Sequence, residues 1–126
     1  MAKDFSKVTG VDISPKNISD AVSNAGINGI DNVEFICDDS EKYSRLKGLS
    51  AIILDPPRAG LGKKAKLCVA ESGVEHVVYV SCNPANLAKD LAELGAAYSI
   101  ESLIPVDMFP HTRHLEVVAI LRRNRV

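Results

Sequence analysis

The stretch His76-Val-Val-Tyr-Val-Ser-Cys-Asn-Pro84-Ala-Asn-Leu87-Ala88-Lys-Asp-Leu91-Ala-Glu-Leu94-Gly95 decides the fold class. His76 to Ser81 is a short run of β-branched and aromatic residues, apolar on both faces, as in a strand covered on both sides. Asn83 and Pro84 then supply a helix start, a side-chain cap followed by a proline whose missing N–H costs nothing in the first turn. Leu87, Ala88, Leu91 and Leu94 recur on one helical face, and Gly95 is the stop. A strand that runs straight into a helix is half of a βαβ unit.

The rest of the chain repeats that grammar. Val8-Thr-Gly-Val-Asp12 is a brief first strand ending in an acid. Ser14 and Pro15 open a helix over residues 15–25, with Ile18, Ala21, Val22 and Ala25 as its buried stripe and Gly26 at its end. Val33–Cys37 reads as a second strand and Ser50–Leu54 as a third. The third must end at Asp55-Pro56-Pro57, because proline cannot donate to a ladder. Residues 61–72 read as a helix closed by Gly73. Tyr98–Ile104 and Leu115–Leu121 are two last strands joined by a proline-bearing loop. Strands separated by helices predict a mostly parallel α/β sheet, and the last pair, with no helix between, predicts an antiparallel hairpin at one edge. The expectation is a single domain over residues 1–126.

Composition narrows the classes. The 126 residues are 46% hydrophobic and 25% charged, the balance of a soluble globular domain, which excludes a disordered tail, a collagen repeat and a coiled coil. Fifteen basic and sixteen acidic residues give a net charge of -1, which argues against a stand-alone phosphate-tracking domain. Arg122, Arg123 and Arg125 read as a solvated tail. No apolar run is long enough to span a bilayer and the first residues form no secretory signal, so neither a membrane nor export is expected. Cys37, Cys68 and Cys82 lack CxxC spacing and read as reduced thiols in a cytoplasm, with no disulfide, zinc ribbon or iron–sulfur cluster.

Candidate site residues lie where parallel strands end, the side of such sheets that receives ligands. Asp12 is placed to accept hydrogen bonds from ribose hydroxyls, or merely to serve the next helix start. Asp38 and Asp39 follow the second strand. One of them is placed to reach an adenine amino group or to cap a helix beginning near Ser40, and spacing favours the cap. Asp55-Pro56-Pro57-Arg58 is a stiff polar loop suited to holding a planar base or a cofactor, or a turn that only ends the strand. Gly60-Leu-Gly62-Lys63 is too short for a phosphate loop and reads as a turn. Cys82 sits just before a helix N-terminus, whose positive field favours thiolate, or is only a small buried residue at a tight turn. Cys37 and Cys68 read as inert core thiols. Glu116, flanked by apolar residues at the entrance of the last strand, is placed to be partly desolvated and to abstract a proton, or is an exposed edge-strand acid. His111 and His114 lack a third ligand, so no metal is expected.

Taken together, Val8–Asp12, Asn32–Ile36, Leu54-Asp-Pro-Pro-Arg-Ala-Gly-Leu61, Tyr79-Val-Ser-Cys-Asn-Pro84 and Met108-Phe-Pro-His-Thr-Arg-His-Leu-Glu116 resemble the catalytic half of the RNA (uracil-5-)-methyltransferase family. The resemblance covers nearly the whole chain. It implies a Rossmann-like sheet and transfer of a methyl group from S-adenosyl-L-methionine (SAM) to carbon 5 of a uridine in tRNA or rRNA, with no DNA partner. It assigns Cys82 as nucleophile and Glu116 as base. It assigns Asp12, Asp39 and Asp55 to the cofactor, and Asp55 with Arg58 to the substrate.

The same resemblance implies that the family's first sheet strand and glycine-rich SAM loop precede the region seen here, so the chain is expected to be the C-terminal part of a catalytic domain. The missing strand would lie between those ending at Asp12 and Leu54. Because open strand edges invite pairing, the expectation is that these two strands pair directly, or that another chain or self-association fills the slot. Two other functions compete. One is a non-catalytic fragment that needs a partner. The other is an adenine amino-methyltransferase using the Asp-Pro-Pro loop, a chemistry that needs no cysteine.

Overall fold

The computed structural model describes residues 2–39, 45–112 and 114–125. Contacts gather into two compact units, Met1–Tyr43 and Ser44–Val126.

In the first unit a 3-10 turn, Ala2–Asp4, precedes β1 (Val8–Asp12), α1 (Pro15–Ile27) and β2 (Val33–Cys37). The two strands are parallel, in register from Val8↔Val33 to Asp12↔Cys37. Gly10 stands opposite Phe35, and a Cβ there would lie 2.8 Å from the ring, so glycine lets the phenyl group pack on the neighbouring strand. The Ser14 side chain accepts the Asn17 N–H at 3.3 Å and caps α1 as expected. The helix does not stop at Gly26. It continues to Ile27 because Asn28 caps it, its side chain donating to the Asn24 carbonyl at 2.7 Å. Gly29 then takes the left-handed conformation at φ 60°. None of the described residues of this unit is buried: Val22, expected on the buried stripe, is 55% exposed. Cys37 is exposed too, not a core thiol.

The second unit contains β3 (Ala51–Leu54), α2 (Lys63–Glu71), β4 (His76–Ser81), α3 (Pro84–Leu94), β5 (Tyr98–Val106) and β6 (Glu116–Arg123). Its sheet order is β3-β4-β6-β5. β3 and β4 are parallel; β4 with β6 and β6 with β5 are antiparallel. The expected hairpin is present, with β5 on the edge. There β5 tolerates Pro105 and a bulge between Ile100 and Ser102, both at home on an edge strand. Ile52, Val77, Tyr79, Val117, Ala119 and Leu121 share one sheet face and form a single core with Val69, Leu87 and Leu94. Each valine, isoleucine or leucine among them contributes roughly 1.5–3 kcal/mol by leaving water. The opposite face is less covered: Val78, Val80, Val118 and Ile120 are half-buried and Ile53 is 50% exposed. β4 is therefore covered fully on one side, not two.

Two further expectations change. Arg122 and Arg123 belong to β6 and are not a solvated tail. Arg122 bridges Glu75 at 3.0 Å and Glu101 at 3.4 Å, and Arg123 donates to the Ala70 carbonyl at 2.9 Å. On α3, Ala88 is exposed and Asp90 is buried in its stead. Within its own unit β1 bonds to β2, and within the other β3 bonds to β4, each at one edge of its sheet among the described residues.

Candidate active site

In the first unit, Asp12 closes β1. Its Oδ1 accepts the Ser14 N–H at 2.7 Å and the Asn17 amide at 3.2 Å; its Oδ2 accepts that amide at 3.1 Å. The Ser14 N–H, aided by Asn17, holds this carboxyl below its ordinary value. Asp12 thus performs the helix-start task that the sequence offered as its simpler reading. A carboxylate has about four acceptor positions, so Oδ2 keeps room for another donor. Asp39 follows β2 and is half-buried, its N–H donating to the Asp38 carboxylate at 2.8 Å. The helix expected near Ser40 lies outside the described residues.

In the second unit the loops after β3 and β4 are tied together. Asp55 and Arg58 are exposed at the carboxyl end of β3. The Arg58 carbonyl accepts the Asn83 amide at 3.3 Å and the Asn86 amide at 2.9 Å. Asn83 also caps α3, its Oδ1 accepting the Ala85 and Asn86 N–H groups at 3.2 and 3.4 Å. Buried Ser81 closes the turn: its Oγ accepts the Asn83 N–H at 3.1 Å and donates to the Asn83 carbonyl at 3.1 Å. Cys82, half-buried, is held in that turn.

Strand register locates Glu116. β4 and β6 run antiparallel with Ser81↔Val117 as their last pair, and Glu116 is the first residue of β6. Cys82 directly follows the β4 residue of that last pair, and Glu116, half-buried, directly precedes its β6 residue. The loop before β6 also reaches the Arg58 side. Arg58 Nη1 lies 3.4 Å from His114 Nδ1, and the Phe109 ring meets His114 edge-on at 6.2 Å. Arg58, His111, Thr112 and His114 line an open recess. Within this unit Asp55 and Arg58 follow β3 and Cys82 follows β4, with the two loops joined through Asn83 and Asn86, and Glu116 opens β6 next to the last β4–β6 pair. Among the described residues no group of three His, Cys, Asp or Glu side chains is disposed to hold a metal, and no helix is long and apolar enough to cross a membrane.

The sequence reading missed Asn86 and a buried carboxylate. Asp90, 4% exposed, accepts the Tyr79 hydroxyl at 2.6 Å and the Leu61 N–H at 2.8 Å on Oδ2, and Lys66 at 3.1 Å on Oδ1. Burial pushes its carboxyl up, but these three donors outweigh burial and hold it below the ordinary value. Tyr79 is pushed up, by burial first and by the Asp90 carboxylate second. Lys66 is raised by Glu93, 2.7 Å away, and by Asp90, against the opposing effect of burial. One sequence signal was available: Asp90 lies three residues after Leu87 and four before Leu94, on the apolar stripe, where an unpaired charge does not belong.

The fold and these strand ends define the class: an α/β sheet of the Rossmann-like methyltransferase type. It superposes on the crystal structure of Pyrococcus abyssi tRNA (uracil-54, C5)-methyltransferase in complex with S-adenosyl-L-homocysteine with a TM-score of 0.87 and 39% identity, over 95% of this chain and 30% of that one. The family model described as tRNA (uracil-5-)-methyltransferase matches residues 1–124, and the chain belongs to that family. It is 42% identical over 127 residues to an RNA methyltransferase of Halalkalibacterium halodurans, covering 96% of this chain and 28% of that protein. It is 40% identical over 119 residues to the 23S rRNA (uracil(747)-C(5))-methyltransferase RlmC of Vibrio cholerae, covering 93% and 32% respectively. The chain thus spans about 30% of the length of these relatives.

Proposed function

We propose that residues 1–126 are catalytic-domain sequence of an enzyme that methylates carbon 5 of a uridine in tRNA or rRNA, with Cys82 as nucleophile and Glu116 as base. The observation that carries this reading is the β4–β6 register, whose last pair, Ser81↔Val117, is adjoined by Cys82 on one strand and Glu116 on the other. Bound SAM would supply an electrophilic methyl group. Asp12 fits its ribose: the carboxyl is held ionised and Oδ2 has an acceptor position left for a hydroxyl. Asp39 and Asp55, at the ends of β2 and β3, are the further cofactor contacts.

The residues match what the reaction asks. Carbon 5 of uracil is a weak nucleophile. Addition of the Cys82 thiolate at carbon 6 forms a C–S bond and moves an electron pair into the ring as an enolate, which can then take up the methyl group at carbon 5. Glu116 removes the proton from carbon 5, the double bond re-forms, and the thiolate leaves. Asp55 and Arg58 orient the base, which must be splayed out of its stack to reach the cysteine.

A second reading has its own observation. β1 and β3 each keep one edge without a strand partner among the described residues, which favours a piece whose activity requires a further segment or partner chain. Titration calorimetry with SAM separates the two, with Asp12→Ala as control. Binding that the control loses supports the catalytic reading and justifies transfer assays on uridine-containing RNA. No binding at millimolar SAM overturns it for this chain alone and favours the second. In the transfer assay, Cys82→Ala should abolish uridine methylation; unchanged transfer would point to amino-group methylation instead.

A further inference from the structure

We propose that Asn86 and Asp90 are positioning residues which clamp the 58–61 loop onto α3 and so fix Asp55 and Arg58 relative to Cys82. The inference rests on the reading of Cys82 as the nucleophile. α3 starts at Pro84, two residues after Cys82, and Asn86 and Asp90, one turn apart, lie on the same face of it. Asn86 holds the Arg58 carbonyl at 2.9 Å and Asp90 holds the Leu61 N–H at 2.8 Å, so both ends of the four-residue segment are bonded to one helix.

The segment lies flat against that helix. Gly60 between the two anchors has φ 86°, and a Cβ there would meet Asp90 Oδ2 at 2.5 Å and Asn86 Cβ at 3.5 Å. Its N–H closes a turn to the Pro57 carbonyl at 2.8 Å, which passes the constraint back to the two prolines after Asp55. Asp90 is anchored in turn by Tyr79 of β4, three residues before Cys82, and by Lys66 of α2. One buried carboxylate therefore references the loop to the strand that carries the nucleophile.

Energetics point the same way. A buried ion pair adds little net stability, and well-packed apolar residues of similar volume are often as good or better. What three donors on one buried carboxylate do provide is a fixed position. Covalent addition is sensitive to position: a misplacement of about 1 Å can lower the rate by about 100-fold. An attacking thiolate and the loop that orients the base must keep their spacing within that tolerance.

Asn86→Ala and Asp90→Asn test this against the parent chain, through kcat and KM for RNA and SAM, melting temperature, and amide exchange at Leu61. Asn86→Ala should lower kcat by about 10-fold or more, leave KM for SAM within about twofold, and shift melting by only a few degrees. Asn86→Ser, which restores a short donor, should recover part of kcat. Asp90→Asn should speed exchange at Leu61. A kcat for Asn86→Ala within about twofold of the parent overturns the positioning role. So does an Asp90→Asn variant whose Leu61 amide stays protected. A parent chain that transfers no methyl group overturns the function reading and the catalytic use of the clamp with it. Leu61 exchange then still shows whether Asp90 orders the loop.

Discussion

The two units use the same strand–helix–strand grammar and end up with different interiors. Residues 51–81 and residues 8–37 each make a parallel strand pair around one helix. The second unit adds α3 and the β5–β6 hairpin, and acquires a buried core with Tyr79, Val77, Leu94 and Leu121 nearly inaccessible. The first has two strands, one helix and no buried residue among those described. A two-stranded sheet is marginal in water, and three or more strands are needed before a face can be sealed. The chemistry divides along the same line. The proposed nucleophile and base, Cys82 and Glu116, belong to the unit with the core; Asp12, the proposed ribose ligand, belongs to the other.

The largest test of that division is a pair of single changes. Cys82→Ala should reduce uridine methylation below detection while SAM binding in calorimetry stays intact, and Asp12→Ala should do the reverse to binding. Loss of SAM binding in Cys82→Ala would break the division of roles. Next in size is stability. Leu94→Ala empties a fully buried site and should cost about 2–5 kcal/mol in denaturant unfolding. A cost under about 1 kcal/mol would mean that the second unit is not held by the core described.

The ionisable groups of that core give a pH signature. Asp90 is held below its ordinary value of 3.8, so the stability it contributes is present above that pH and is lost as pH falls through its lower folded value. Tyr79 is raised from 10.0, so its contribution is present below pH 10 and is lost as pH rises beyond it. Thermal melts across pH should show both limbs, and Asp90→Asn should flatten the acid one. An acid limb unchanged in Asp90→Asn would assign it to other carboxylates. Smallest is Val22→Ala on the exposed side of α1, expected to change stability by no more than about 0.5 kcal/mol. A larger loss would show that Val22 is covered in solution.

Much of the fold was legible because it is written at short range. Ser14 and Asn83 cap their helices through N–H groups two or three residues away, and the prolines at 56 and 57 end β3 where they stand. The same short range explains the misses. Gly26 looked like a stop, but a glycine inside a helix costs only about 1 kcal/mol relative to alanine, and Asn28 offered a better cap. Arg122 and Arg123 looked like a tail because their partners Glu75, Glu101 and Ala70 are far away in sequence.

The sequence by itself determined the alternation of strands and helices, the hairpin at the end, and the identity of Cys82, Glu116 and the Asp55–Arg58 loop as candidates. Only the tertiary structure decided that β4 and β6 pair antiparallel with Ser81↔Val117 as their last pair, and that Asn83 and Asn86 tie the loops after β3 and β4 together. It also turned Asp90 from an anomaly on an apolar stripe into the acceptor for Leu61, Lys66 and Tyr79. The physical reason is one of range. Caps and periodicity act over three or four residues, whereas strand register and the partners of a buried charge are fixed by groups tens of residues apart that meet only when the chain has folded.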